Sequence, residues 1–466
     1  MTPKTGGRER EFKILAPTGA LGAGFRVASL ERGVALRPDV IACDAGSTDS
    51  GPYYLGTGHP KLSREAVSRD LRLLLQARDR LGVPLIIGSC GTSGRREGVD
   101  TLAEMARELA AQEGISFKLA RIYADQEPDD LARRFAAGEI RPLPGAPDLE
   151  VETLTASHVV AMMGVEPIQR ALDAGAEVIL TGRASDTALY AAYPHLHGAD
   201  PGLTWHAAKT IECGAACAIP PSADALFVHL REDHFDVQVL DLESRLTPHS
   251  VAAHTLYENA NPYLIAEPSG TLDTTEATYT AIDQRTVRVS GAVYVPAPAY
   301  TNKLEGSQLI GYQTIAIGGV RDRVVIERLP KLLPLAKNYF EAKIRDVFQG
   351  RVDPADVTID FRLYGRDAVL GTHDPSRDDP AHELGVLITV TAATQQIAHA
   401  IATFVAHASA HLPIPEYEGL ASTIAYPFSP PEIDRGPVYR FTLHHVAVPD
   451  DPYELFTTVH EEVTYA

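Results

Sequence analysis

Tryptophan occurs once and cysteine four times in 466 residues. Four cysteines cannot staple a chain of this length, so a disulfide framework is excluded and a reducing, cytoplasmic setting is expected. Positive charge is also short, with 42 Lys and Arg against 61 Asp and Glu and a formal net charge of −19. A surface that negative repels phosphate backbones and anionic lipid, so neither nucleic acid nor a membrane is an expected partner. Long apolar runs are missing. No stretch approaches the ~18 uncharged apolar residues of a spanning helix, and MTPKTGGREREF leads into ILAPTGA, too short an apolar run for a secretory signal. GxSxG, Walker A, HExxH and EF-hand patterns are missing too, which demotes hydrolase, P-loop, zincin and calcium readings. What is present is ordinary for a globular enzyme: 45% hydrophobic and 22% charged residues. The length is about three times the ~150-residue prior for one domain, so two domains are expected, or three.

The first half alternates apolar runs with helical ones. The runs from Lys13 to Ala20, Asp39 to Gly46 and Pro84 to Gly91 end in Gly, Ser or Asp. Lys118 to Ala124, Ser157 to Gly164 and Ala176 to Ala184 repeat the pattern. Such runs suit strands buried on both faces. Helices are clearest at Ser63–Leu81, where Ser63 is an N-cap without a capping box, and at Gly98–Gln112. Six strands alternating with helices predict an α/β fold: a Rossmann-like, doubly wound, mainly parallel sheet over residues 10–218. The character changes near Pro220–Pro221. Strand-like segments then cluster without a βα rhythm, with long helical stretches at Val324–Phe348 and Gln395–Ala410. That predicts an α+β domain over residues 219–466 which closes an active-site cleft.

In an open α/β sheet, ligands bind beyond the carboxyl ends of the strands, so the loops there carry the chemistry. PTGALGAG (Pro17 to Gly24) has G-x-x-G-x-G spacing, not that of a dinucleotide fingerprint. Its amides, Gly22 included, suit an anion, or the segment is a tight turn. CDAGSTDSGPYYLG (Cys43 to Gly56) offers Asp44 and Asp49 as acid, base or metal ligand, with Ser47 and Thr48 for a substrate carboxylate; plain helix capping is the alternative. GSCGTSG (Gly88 to Gly94) precedes Arg95 and Arg96, so Gly88, Ser89 and Gly91 are candidates to hold a carboxylate or phosphate. Cys90 there reads as a buried inert thiol more readily than a nucleophile. In TGRASDTAL (Thr181 to Leu189), Arg183 can clamp an anion while Asp186 acts as base or metal ligand, or the two form one structural ion pair. Further on, HTLYENANP holds His254, Tyr257, Glu258 and Asn259, which can exchange protons near neutral pH. Lys303 either pairs with Glu305 or faces the cleft as an anion site, with Gly306 allowing close approach.

Taken together, ALGAGF (Ala20 to Phe25), CDAGSTDSGPYYLGTG (Cys43 to Gly58), TGRASDTAL and IECGA (Ile211 to Ala215) resemble the acyclic terpene utilisation AtuA family of bacterial catabolic proteins. HTLYENANPYLIAEPSGTLDTT (His254 to Thr275), VRVSGA (Val287 to Ala292) and NKLEGSQLIGYQTIAIGGVRD (Asn302 to Asp322) extend the resemblance through most of the chain. GSCGTSG departs from the GSAGGAGG-like form of relatives. The resemblance implies a catabolic enzyme, a hydratase or lyase on a branched acid or its thioester. It also implies a small accessory polypeptide as a partner of some relatives.

The expected function is therefore a lyase of the hydratase/dehydratase type acting on a branched or unsaturated carboxylic acid or its acyl-CoA thioester. Asp44, Asp49, Asp186 and His254 are the acid/base candidates. Arg183, Lys303 and the amides from Gly88 to Gly94 are the anion candidates, with Glu258 and Asn259 as further substrate contacts. Two alternatives remain: an isomerase or racemase of a hydroxy acid, and a non-catalytic acid-binding subunit of a catabolic complex. The cofactor is open; the carboxylates would suit magnesium or manganese, and nothing suits a closed zinc site. A homo-oligomer is expected on the general prevalence of symmetric assemblies. Asp186, beside a cation at a helix start, is expected ionised; Asp44, leaving an apolar strand, is expected desolvated and raised toward neutrality.

Overall fold

A computed structural model describes residues 11–256, 259–379, 381–414 and 423–465. The chain forms two compact units, one of residues up to Gln308 together with Phe441 onward, the other Leu309–Arg440.

The first unit is a mixed α/β assembly around a ten-stranded sheet. Its centre is five parallel strands: β1 (Phe12–Ala16), β2 (Val40–Asp44), β3 (Leu85–Gly88), β4 (Phe117–Tyr123) and β5 (Val178–Thr181), in spatial order β1-β2-β3-β5-β4. On the β1 side the sheet continues antiparallel through Leu226–Leu230, Phe235–Val239, Thr286–Ser290 and Thr278–Ala281. On the β4 side it ends with Thr457–Val463, also antiparallel. The sheet is thus mixed and not mainly parallel, because the strands beyond the parallel core join by hairpins or return from the chain end. His158–Ala161, expected in this sheet, instead pairs antiparallel with Leu304–Ser307 and with Asp125–Gln126. The sequence break at Pro220–Pro221 lies inside the first unit, since Leu226–Leu230 adds directly to β1.

Alternation sends the core strands' side chains to two hydrophobic layers. Leu15, Ile41, Ile87 and Leu180 pack against helices α1 (Arg64–Leu81) and α2 (Arg96–Glu113). Ile14, Val40, Ile86 and Ile179 pack against α3 (Asp186–Leu196) and α4 (Pro201–Ile211) on the other face. Ser63 caps α1 by accepting from the Ala66 amide at 3.3 Å, with no reciprocal side chain.

The chain leaves the first unit within β6 (Asn302–Val320). In the second unit Tyr312–Val320 pairs antiparallel with β8 (Leu384–Ala392), which pairs with β7 (Thr358–Tyr364). Helices α5 (Arg323–Phe348) and α6 (Gln395–Ala410) cover this sheet with a core that includes Leu329, Phe340, Ile388 and Val405. Both helices fall where the apolar periodicity predicts them. Among the described residues, no helix is long and apolar enough to cross a membrane.

Candidate functional site

Parallel pairing aligns the carboxyl ends of β2, β3 and β5, with Asp44 opposite Gly88. Glycine is required at 88 because a Cβ there would lie 2.4 Å from the Leu189 side chain of α3, which packs over the strand end. The next loop is wound tightly. Ser89 and Thr92 adopt left-handed φ values of 46° and 85°, and Gly94, at φ 70°, packs so closely that a Cβ would lie 2.2 Å from the Arg183 nitrogen. Left-handed non-glycine residues store strain and persist only where surrounding packing holds them.

Asp44 ends β2 with its side chain buried. Its Oδ2 accepts from the Gly46 amide at 3.2 Å, while Oδ1 is buried without a hydrogen-bond partner. Burial, then the neighbouring Asp186 carboxylate, push its pKa well above the usual carboxylate range; Arg183 opposes them and loses.

Arg183 follows β5 and is buried. Its Nε donates to Glu305 Oε2 at 2.8 Å, and its Nη1 donates to Asp186 Oδ1 at 2.8 Å, the Ala184 carbonyl at 2.7 Å and Ser89 Oγ at 3.2 Å. Nη2 has no partner among the described residues. Burial works against this charge, but Glu305 and Asp186 outweigh it and raise the pKa further. Lys303 Nζ lies 3.0 Å from Glu305 Oε1, the ion pair that their spacing on one strand face allows. Burial opposes ionisation of Glu305, yet Arg183 and Lys303 together hold it down at about 2. The triad is therefore a fixed ionic frame with most of the guanidinium already engaged.

Asp186 is the first residue of α3. Its ionised form was expected to be favoured, but burial outweighs the adjacent guanidinium and raises its pKa. The reason is tertiary: Asp49 and Glu305 add negative charge around it. Its side chain keeps 31% exposure, so solvent tempers the shift. Ser185, the N-cap, does not cap. Its hydroxyl donates to Glu267 Oε2 at 2.7 Å.

That contact leads to a second carboxyl pair, Glu267 and Glu212, which no motif in the sequence singles out. Glu267 is buried, and desolvation, reinforced by Glu212, raises its pKa to about 8 against the Ser185 hydrogen bond. Glu212 follows α4, accepts from Thr187 Oγ1 at 2.7 Å and pairs with Lys209. Burial prevails over Lys209 and, with Asp186 adding repulsion, lifts Glu212 to about 7. His254 lies near Lys209; burial and that ammonium lower it to about 4, so its imidazole is neutral at pH 7. The signal available beforehand was that IECGA and LIAEPSG each place one Glu in an otherwise apolar stretch.

Other candidates sit elsewhere or are already satisfied. The amides of Gly22 and Gly24 donate to Asp70 Oδ2 at 2.9 and 3.1 Å, so the anion in that loop is the chain's own buried carboxylate. Ser47 caps a short 3-10 turn containing Thr48, accepting from the Asp49 amide at 3.0 Å and donating to Asp49 Oδ2 at 2.7 Å. The Ser89 and Cys90 amides bond to the carbonyls of Gly182 and Thr181, which closes two of the expected anion donors. Gly91 packs against Gly98, where a Cβ would lie 2.5 Å from its Cα. Arg95 donates to the Leu55 and Gly56 carbonyls, away from any such cradle. Cys90 is buried, and burial pushes its thiol up, so it is inert. Glu258 and Tyr257 lie outside the described residues; Asn259 is half-buried. Among the described residues no group of three or more His, Cys, Asp and Glu is arranged to hold a metal ion. The donors explain it: Asp49 is bound to Ser47, Asp186 to Arg183, and burial disfavours ionisation of Asp44. These residues do not fit a magnesium or manganese site.

A cavity of about 140 Å³ lies behind the same loops. Leu21, Leu62, Val67, Leu102 and Met105 line it with Ala45 and Thr92, while Asp44, Asp186 and Arg183 do not.

Buried carboxyls with raised pKa thus gather beside a fixed cation at the strand ends of an α/β sheet. The acyclic terpene utilisation family protein AtuA family matches residues 67–218 and 240–433, and the chain belongs to that family. No curated protein and no solved structure matches the chain.

Proposed function

We propose that this protein is a catabolic lyase of the hydratase/dehydratase type acting on a branched or unsaturated carboxylic acid or its acyl-CoA thioester. The observation that carries the reading is Asp44: a buried carboxyl with one oxygen unpartnered, beside a second raised carboxyl, Asp186. Asp186 opposes the ionisation of Asp44, and a pair of carboxyls with one member neutral and one ionised supplies an acid and a base together. In the dehydration direction the ionised member takes the proton α to the carbonyl, its C–H electron pair forms the C=C bond, and the neutral member protonates the departing hydroxyl as water. The electron-rich carbonyl oxygen needs a fixed donor, and Arg183 Nη2 is the free one. Membership of a family named for terpene utilisation supports a branched, apolar acid.

The test is ultraviolet absorbance of the purified chain with a panel of branched 3-hydroxyacyl-CoA thioesters and the corresponding free acids. Growth of a conjugated double bond supports the lyase. Substrate conversion without conjugation transfers the site to an isomerase, and no conversion of any panel member by the chain alone overturns the catalytic reading in favour of a binding subunit.

A further inference from the structure

The second unit contains a cavity of about 500 Å³ between α5 and β7, within the ~300–1,000 Å³ of small-molecule sites. Its apolar floor is Leu333 and Phe340 from the helix and Phe361 from the strand, the two phenyl rings stacked 6.1 Å apart. Four cations line it, namely Lys331, Lys337, Arg366 and Arg377, against two carboxylates, Asp360 and Asp367. This local excess of positive charge stands out in a chain of net charge −19.

The carboxylates offset only part of it. Asp360 is paired with Arg362 at 3.2 Å. Asp367 is shared between Arg366 at 3.8 Å and Arg377 at 4.0 Å, ion-pair distances too long for a hydrogen bond. Arg366 reaches Asp378 at 3.4 Å. Lys331 and Lys337 have no carboxylate within 4 Å among the described residues, and Arg377 Nε is buried without a hydrogen-bond partner. A buried N–H is ordinarily satisfied, so an orphan in the wall of a cationic cavity marks where an acceptor belongs.

We propose that this groove binds a small amphiphilic anion, a carboxylate or phosphate head joined to an apolar chain. The head lies among Lys331, Lys337 and Arg377, and the chain lies on Leu333, Phe340 and Phe361. Charge draws the ligand in, in a concave wall where field lines concentrate, and apolar burial separates it from inorganic anions. The groove belongs wholly to the second unit and is independent of the acid/base site in the first.

Calorimetric titration of the full chain with octanoate, octyl phosphate and inorganic phosphate tests it, at 50 and 500 mM salt. At least one octyl anion should bind with Kd below 1 mM, at least tenfold tighter than inorganic phosphate, and weaken at high salt. Octanoate as the tighter arm identifies a free acid as the natural source, and octyl phosphate a phosphorylated one. The Lys331→Ala/Lys337→Ala variant, changed only at exposed positions, should lose at least tenfold in affinity. Loss of affinity in the lysine variant locates the ligand in the groove, and calorimetry reads it without turnover, so failure of the groove and failure of the catalytic reading separate. No binding of either octyl anion at 5 mM, equal affinity for inorganic phosphate, or an unaffected lysine variant overturns the proposal.

Discussion

Replacing Asp44 by Asn is the sharpest perturbation of the candidate site. The amide keeps the shape of the carboxyl and an oxygen to accept from the Gly46 amide, but it cannot give or take a proton. If Asp44 moves the proton in the chemical step, turnover falls ~10²–10⁴-fold while ligand binding survives. Stability responds with a definite sign. The folded pKa of Asp44 lies well above its unfolded value through burial and Asp186. The stabilisation from this group is therefore full below the unfolded carboxylate pKa and is lost as pH rises through the folded one. The Asn variant has no such loss, so its Tm relative to wild type should increase from pH 5 to pH 8. Asp186, relieved of its neighbour, should also ionise more readily. Scanning calorimetry across that range and turnover at pH 7 check both effects. Wild-type turnover in the variant removes Asp44 from the mechanism, and a Tm difference that shrinks with pH refutes the assigned burial cost.

Arg183→Gln leaves buried Glu305 facing only Lys303 and should cost about 3–5 kcal/mol in urea unfolding, the usual result of removing one partner of a buried ion pair; a loss below about 1 kcal/mol contradicts the ionic frame. Glu267 is raised from 4.5 to about 8, so its stabilisation is full below pH 4.5 and is lost progressively as pH rises to about 8. At about 1.4 kcal/mol per unit this is on the order of a few kcal/mol, and Glu267→Gln should flatten the decline in Tm between pH 5 and 8; a parallel decline in both proteins contradicts it. Gly94→Ala combines a left-handed φ with a clash against the Arg183 backbone and should destabilise by about 2–4 kcal/mol, whereas an unchanged midpoint would show the loop to be looser than described.

Local chemistry determined much of this protein. Apolar runs with polar ends produced β1 to β5, and the periodicity of Val324–Phe348 and Gln395–Ala410 produced two helices within a residue or so of their observed ends. Ser63 marked a helix start, and Asp44 at the end of an apolar strand was legible as a raised carboxyl. These features depend on neighbours in sequence, which is why they could be read there. Pairing across distance was decided only by tertiary structure. Thr457–Val463 returns from the chain end to cover β4, and Leu226–Leu230 joins β1, so the units divide elsewhere than at the change of composition near Pro220. The amides around Gly22 were recognisable as anion donors, but only the fold brings Asp70 to them. Asp186 shows the same limit most clearly. Its adjacent arginine was visible three residues away, whereas the burial and the distant carboxylates that outweigh it come from separate elements, because desolvation and charge repulsion depend on distance in space and not along the chain.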